Sequence, residues 1–249
     1  MQVVTSSPQC GAELMTIGVS QSNYLPWLGY FALINRTQAF VLYDSVQFTK
    51  NDWRNRNLIG SDKAPFWISI PCLTKGRMGQ SIAETQVKSA DWVRKHINSM
   101  KMTYGKSPHF SWFEERLFPL LAEQTGEVGL SAINRRLLKL VVEDLDIPAR
   151  LQLDEQFELH GDANTKLLQI CSQLEATEYL SGPAGAAYLD EMRFADHGVK
   201  VSYVDYGPVF SFLGRNKSSD GPPLSIVDTI AQFGIGAIQD FLEEQRLYG

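Results

Sequence analysis

The chain has 249 residues, of which 44% are hydrophobic and 20% charged, an ordinary globular balance with length enough to bury a sizeable core. Its net charge of −5 excludes the global basic field that holds a nucleic acid backbone. No stretch approaches the roughly 18 consecutive apolar residues of a membrane span.

The opening "MQVVTSSPQCGAEL" (1–14) has neither a basic start nor a long apolar centre. It is therefore expected to be a loose extension and not a signal peptide, with a single α/β domain running over 15–249. "MTIGVS" (15–20) reads as a short strand, "LGYFALINRT" (28–37) has helical spacing, and "AFVLYDS" (39–45) is a continuous apolar run. Apolar runs flanking a helix predict a βαβ unit with buried parallel strands. "FWISIPC" (66–72) and "SIAETQVK" (81–88) are expected to pair as an antiparallel hairpin. "DWVRKHINSMKMTY" (91–104), "SWFEERLFPLLAEQ" (111–124) and "VGLSAINRRLLKLVVEDL" (128–145) then read as a helical insertion over about 91–146. The βαβ grammar returns with an amphipathic helix at 163–175, a strand at 177–180, a helix at 183–198 and a strand at 199–206. Pro183 suits that helix's first position and Gly198 its end. A last helix is expected after the Pro-Pro breaker at 222–223, with Ser225 as its cap. The fold class predicted is α/β, with a mostly parallel Rossmann-like sheet, a helical insertion and an antiparallel hairpin.

In an open parallel sheet, ligands bind outside the carboxyl ends of the strands. The unusual residues fall there. Ser20, Gln21 and Asn23 leave the first strand, Asp44 and Gln47 the second, Ser181 and Gly182 the third, and Tyr206 the fourth. The stretch "SQSNYLPWLGYFALI" (20–34) places an amide, a proline and aromatics where Gly, Asp or Ser would make a plain turn, so it is read as the rim of a ligand site. "DSVQFTKNDWRNRN" (44–57) adds three cations, three asparagines and two acids. In it Lys50, Arg54 and Arg56 suit an anion, and Trp53 suits stacking on a planar group. Asn55 completes the candidates. Asp44, at a strand exit, is the expected general base, and Gln21 with Asn23 orients the acceptor. A solvated loop with an ordinary packed tryptophan is the competing reading.

Other chemistry lacks its markers. No GxxxxGK[ST], GxSxG or HExxH occurs, and "GPAGAA" (182–187) is not GxGxxG. The four histidines are scattered. Cys10, Cys72 and Cys171 lie far apart without CxxC spacing, which predicts reduced thiols in a cytoplasmic protein and no metal site. No cofactor pattern emerges. The expected partner is a small, anionic molecule, with no nucleic acid and no membrane span.

"QSNYLPWLGYFALI", "VLYDSVQFTKNDWRNRNLI", "YLSGPAGAAYL" and "LSIVDTI" together resemble the WbqC-like family from about Met15 to Gly234. The matching positions are Gln21, Pro26, Gly29, Tyr30, Asp44, Gln47, Lys50, Trp53, Asn55, Arg56, Asn57, Ser181 and Gly182. The family pattern has proline after the glutamine, where this chain has Ser22, which implies a less rigid loop. The resemblance implies a place in bacterial surface-polysaccharide (O-antigen) or related biosynthesis, read here as a transferase acting on a nucleotide- or carrier-linked precursor. A weaker similarity, strand then P-x-x-G-aromatic opening a helix, is to the HIGH loop of nucleotidylyltransferases, with Tyr30 in place of the second histidine. A non-catalytic binding or scaffold module is the alternative from outside the enzymes.

Overall fold

The computed structural model describes residues 14–61, 64–124, 129–216 and 221–248. Strand β1 (Thr16–Ser20) leads through helix α1 (Leu28–Asn35) to β2 (Ala39–Leu42). Two further strands, β3 (Arg56–Ser61) and β4 (Ala64–Ser69), form a separate antiparallel pair. Helices α2 (Asp91–Tyr104), α3 (Phe110–Trp112), a π-helical turn (Phe113–Leu117), α4 (Phe118–Ala122) and α5 (Leu130–Asp144) follow. The chain then returns to the sheet with β5 (Arg150–Leu153), α6 (Ala163–Gln173), β6 (Glu178–Ser181), a 3₁₀ turn (Pro183–Ala187), α7 (Glu191–Asp196) and β7 (Lys200–Tyr203). It ends with α8 (Gly207–Phe212) and α9 (Ile226–Tyr248).

The main sheet is parallel throughout, in the order β5-β2-β1-β6-β7. All four residues of β2 are buried, as a strand covered on both faces requires. Side chains alternate between two cores. Phe40, Leu42 and Leu180 enter the larger one with residues of α1, α5 and α9, while Ile17, Val41 and Tyr179 pack with Leu168 and Cys171 of α6 and Phe194 of α7. Strand order runs outward from β1 in both directions, so the topological switch point lies between β1 and β6, where the carboxyl ends diverge and leave a crevice.

The predicted α/β class and the four predicted neighbouring strands are present. Several elements differ, among them α8, which was not anticipated, and the helix expected over 111–124, which is divided by the π-helical turn. The antiparallel sheet pairs β3 with β4, register Arg56 to Ser69, whereas 66–72 and 81–88 meet only at a single bridge, Cys72 to Val87. The composition of β3, "RNLIGS", hid it. Strand β5 was not anticipated: "RLQL" is four residues at the sheet's edge, exposed or half-buried along its length. The expected helix over 183–198 is broken into the 3₁₀ turn and α7, because Asp190 caps α7 afresh by accepting from the Arg193 N–H at 3.2 Å. Except for Leu14, the expected N-terminal extension lies outside the described residues, as does Cys10. Cys72 and Cys171 are free thiols. Burial pushes both up to about 12, which makes them poor nucleophiles. Among the described residues, no helix is long and apolar enough to cross a membrane, and no group of three metal-ligating side chains converges.

Candidate functional site

The stretch 20–27 leaves β1 at the switch point, and many of the hydrogen bonds that hold it are accepted by its carbonyls. Tyr30 donates its hydroxyl to the Gln21 carbonyl at 2.8 Å. Asn57 donates Nδ2 to the Tyr24 and Leu25 carbonyls at 3.0 and 2.8 Å. Ser225 Oγ also donates to Leu25, at 2.7 Å, and the Ile226 N–H to Pro26, at 2.9 Å. Asn134 Nδ2 reaches the Ser22 carbonyl at 3.3 Å and the Arg54 carbonyl at 2.9 Å. Leu25 sits at φ +44°, a costly conformation for a non-glycine residue that persists only where the surroundings over-determine it.

Ser22, where the family pattern has proline, keeps an N–H that donates to Asp44 Oδ1 at 2.8 Å. The loop thus gains a hydrogen bond that proline cannot make, and the expected loss of rigidity is offset.

Against this loop lies 52–57. The Tyr24 N–H donates to the Trp53 carbonyl at 2.9 Å, and Arg54 Nη2 to Gln21 Oε1 at 3.0 Å. The same guanidinium pairs with Asp52 at 2.6 Å. Between the two stretches opens a cavity of about 240 Å³ lined by Asn23, Pro26, Trp27, Trp53, Asn57, Phe210 and Pro223. Its walls are mostly rings. Trp27 lies 4.9 Å from the Tyr206 ring and 5.5 Å from the Phe210 ring, and Trp53 lies 5.3 Å from Trp67. Two asparagines are the polar exceptions: Asn57 spends its amide on the Tyr24 and Leu25 carbonyls and the Leu58 N–H, whereas Asn23 Oδ1 is buried without a hydrogen-bond partner. An orphaned buried acceptor costs about 1–3 kcal/mol, a cost that a donor on a bound molecule would relieve.

Trp27 holds its place because position 29 is glycine: a Cβ there would lie 2.2 Å from the indole. The indole therefore covers the first turn of α1. Tyr206 leaves β7 beside Gly182, whose added Cβ would stand 3.5 Å from the phenol oxygen. Burial pushes that phenol up to about 12, so it stays protonated at neutral pH.

The remaining sequence candidates are placed differently. Asp44 is fully buried. Its Oδ1 accepts from Ser22, its Oδ2 from the Ser131 hydroxyl, and Arg135 Nε stands 3.7 Å away. With both oxygens occupied and no place on the cavity wall, Asp44 braces the loop, and the general-base role expected of it does not fit this geometry. Asn55, 5% exposed, donates Nδ2 to the Ile70 carbonyl at 2.9 Å and ties the base of the hairpin. Arg56 rides over the Trp67 ring at 3.9 Å. No described carboxylate pairs with it, and its Nε has no acceptor. Gln47 and Lys50 line another cavity, of about 190 Å³, with Arg77 and Gln80, so they do not share the aromatic one. Ser181 is buried at the end of β6.

Several contributors were not singled out from the sequence. Ser131, Asn134 and Arg135 sit on α5, and Phe210 and Pro223 lie far along the chain. Only their tertiary placement makes them part of the site.

The sheet has the strand order of a Rossmann-type α/β fold, and the aromatic cavity lies beside the loop that leaves its first strand. The model of the WbqC-like protein family matches residues 21–240, and the chain belongs to that family. It is 36% identical over 221 residues to the uncharacterized protein Rv1507c of Mycobacterium tuberculosis, covering 89% of this chain and 94% of that one. No solved structure matches the chain significantly.

Proposed function

We propose that the protein is a cytoplasmic biosynthetic transferase acting on an activated, nucleotide- or carrier-linked precursor of a surface polysaccharide (O-antigen) or related metabolite. The observation that carries the reading is the aromatic cavity between 23–27 and 53–57, with the unpartnered Asn23 carbonyl in its wall. Trp27, Trp53 and Phe210 offer faces for one flat ring, a sugar or a base. Asn23 accepts from a hydroxyl or amine on that ring. Arg54 holds Gln21 in place, and Arg56, without a carboxylate of its own, is the cation offered to the precursor's anionic group. Among the described residues, no acid lines the cavity. Transfer then relies on aligning donor and acceptor, which alone supplies a large share of a bimolecular barrier. The partner is a small anionic molecule, and the net charge of −5 disfavours nucleic acid.

Nucleotidyl transfer of the HIGH type fits less well. The indole of Trp27 occupies the approach to the first turn of α1, where such enzymes hold phosphates. Tyr30, at the second histidine's position, is 6% exposed and spends its hydroxyl on the Gln21 carbonyl.

A melting-temperature screen of nucleotides, nucleotide sugars and acyl carriers tests the proposal. A ligand at about 100 times its Kd stabilises by roughly 2.7 kcal/mol, or roughly 5–10 °C for a domain of this size. One class should shift the protein and then be consumed when an acceptor is added. A shift without turnover would assign a binding module, and a shift that persists in Trp53→Ala would remove the ligand from this cavity.

A further inference from the structure

A second cavity, of about 570 Å³, opens at the opposite, amino-terminal edge of the main sheet. Its wall carries Arg36 from the end of α1, Arg150 from the start of β5 and Arg246 from the last turn of α9. Three elements far apart in sequence thus bring three guanidiniums to one concavity, on a chain whose net charge is −5. No Asp or Glu among the described residues lines it. Arg246 has a weak intrahelical contact to Glu243 at 3.9 Å, and no described carboxylate pairs with Arg36 or Arg150. Glu178 is the acid bonded to a lining residue, accepting from Thr16 Oγ1 at 2.9 Å, and it is already held by Ser202 and Lys200. Gln38, whose Oε1 accepts from the Thr16 N–H at 2.6 Å, lines the same cavity.

Like charges collected without counter-charges repel one another, and a surface that needed only solubility would scatter them. A guanidinium offers a planar fork matched to phosphate oxygens, and three of them exceed what one phosphate requires. The volume lies within the range of small-molecule sites and exceeds that of a bare anion. We propose that this cavity binds a diphosphate-bearing metabolite, at a site separate from the aromatic cavity on the other edge of the sheet.

Calorimetric titration of the full chain with inorganic diphosphate tests this, using Arg36→Gln, Arg150→Gln and, as a control, Arg94→Gln on the exposed face of α2. The expected result is one diphosphate per chain, bound at least tenfold more weakly by each cavity variant and unchanged by the control. Circular dichroism should show all three variants folded, since each position lies at the surface. Repeating the titration with a nucleoside diphosphate separates the sources of the group: tighter binding than diphosphate means a nucleoside is read too, equal binding that the diphosphate suffices. The proposal is overturned if the cavity variants keep wild-type affinity, if the control weakens binding as much as they do, or if Trp53→Ala abolishes the same binding.

Discussion

Two residues of the 44–57 stretch carry opposite forecasts. Asp44 is fully buried between Ser22, Ser131 and Arg135. Removing one member of such a group leaves the others unpaired in the interior, so Asp44→Ala should cost about 3–5 kcal/mol in urea unfolding. Arg56 contributes a partly exposed cation–π contact with Trp67, so Arg56→Ala should cost less than about 1 kcal/mol while weakening the ligand found in the screen. Arg56→Lys keeps the charge but loses the fork, and should weaken it too. His96 supplies a pH dependence. It is 5% exposed, accepts from the Tyr24 hydroxyl at Nδ1 (2.8 Å) and faces the Ser69 carbonyl through Nε2 (3.2 Å), which fixes the proton on Nε2. Burial foremost, with Lys95 adding, pulls it down to about 4 from an ordinary 6.5. Between those pH values the unfolded chain binds a proton that the fold refuses, so stability falls as pH drops from about 6.5 to about 4, by about 3 kcal/mol. His96→Gln should flatten that limb; an unchanged slope would contradict the assignment. At this scale the sequence located polar residues but not their duties. Asp44, Asn55 and Asn57 resemble site groups in composition, and only their burial and partners reveal them as braces.

Among the elements, long periodic segments were legible and short ones were not. Helices α2 and α5 bury one stripe each, the pattern that sequence periodicity detects. Strands β3 and β5 owe their existence to partners, Ser69 through Ala64 for one and β2 for the other, so four to six mixed residues carried little signal of their own. Helix α9 is bent at Gly234, at φ +76° and ψ 166°. A Cβ there would meet the His109 ring at 2.5 Å. Gly234→Ala therefore combines left-handed strain with a clash and should destabilise by roughly 1–3 kcal/mol. Thermal unfolding reads this directly. An unaffected midpoint would mean that α9 can straighten without loss.

For the whole molecule, the parallel sheet favours a ligand outside the carboxyl ends of its strands. The loop that leaves the carboxyl end of β1, singled out from strand order alone, borders the aromatic cavity, because the switch point follows from that order. Strand order could not show that Gln47 and Lys50 face another cavity, nor that Phe210 and Pro223 close this one, since those neighbours are set by tertiary packing. The central claim is that the aromatic cavity between 23–27 and 53–57 is the ligand site. Asn23 isolates it, because its Oδ1 has no protein partner and its truncation removes no hydrogen bond accepted by that oxygen. The decisive measurement is the ligand-induced melting shift of Asn23→Ala beside the wild type, using whichever precursor stabilises the latter. Without ligand, Asn23→Ala should melt no lower than the wild type, because the orphaned acceptor is gone, and its ligand-induced shift should fall to a small fraction of the wild-type value. An undiminished shift in Asn23→Ala would contradict the central claim.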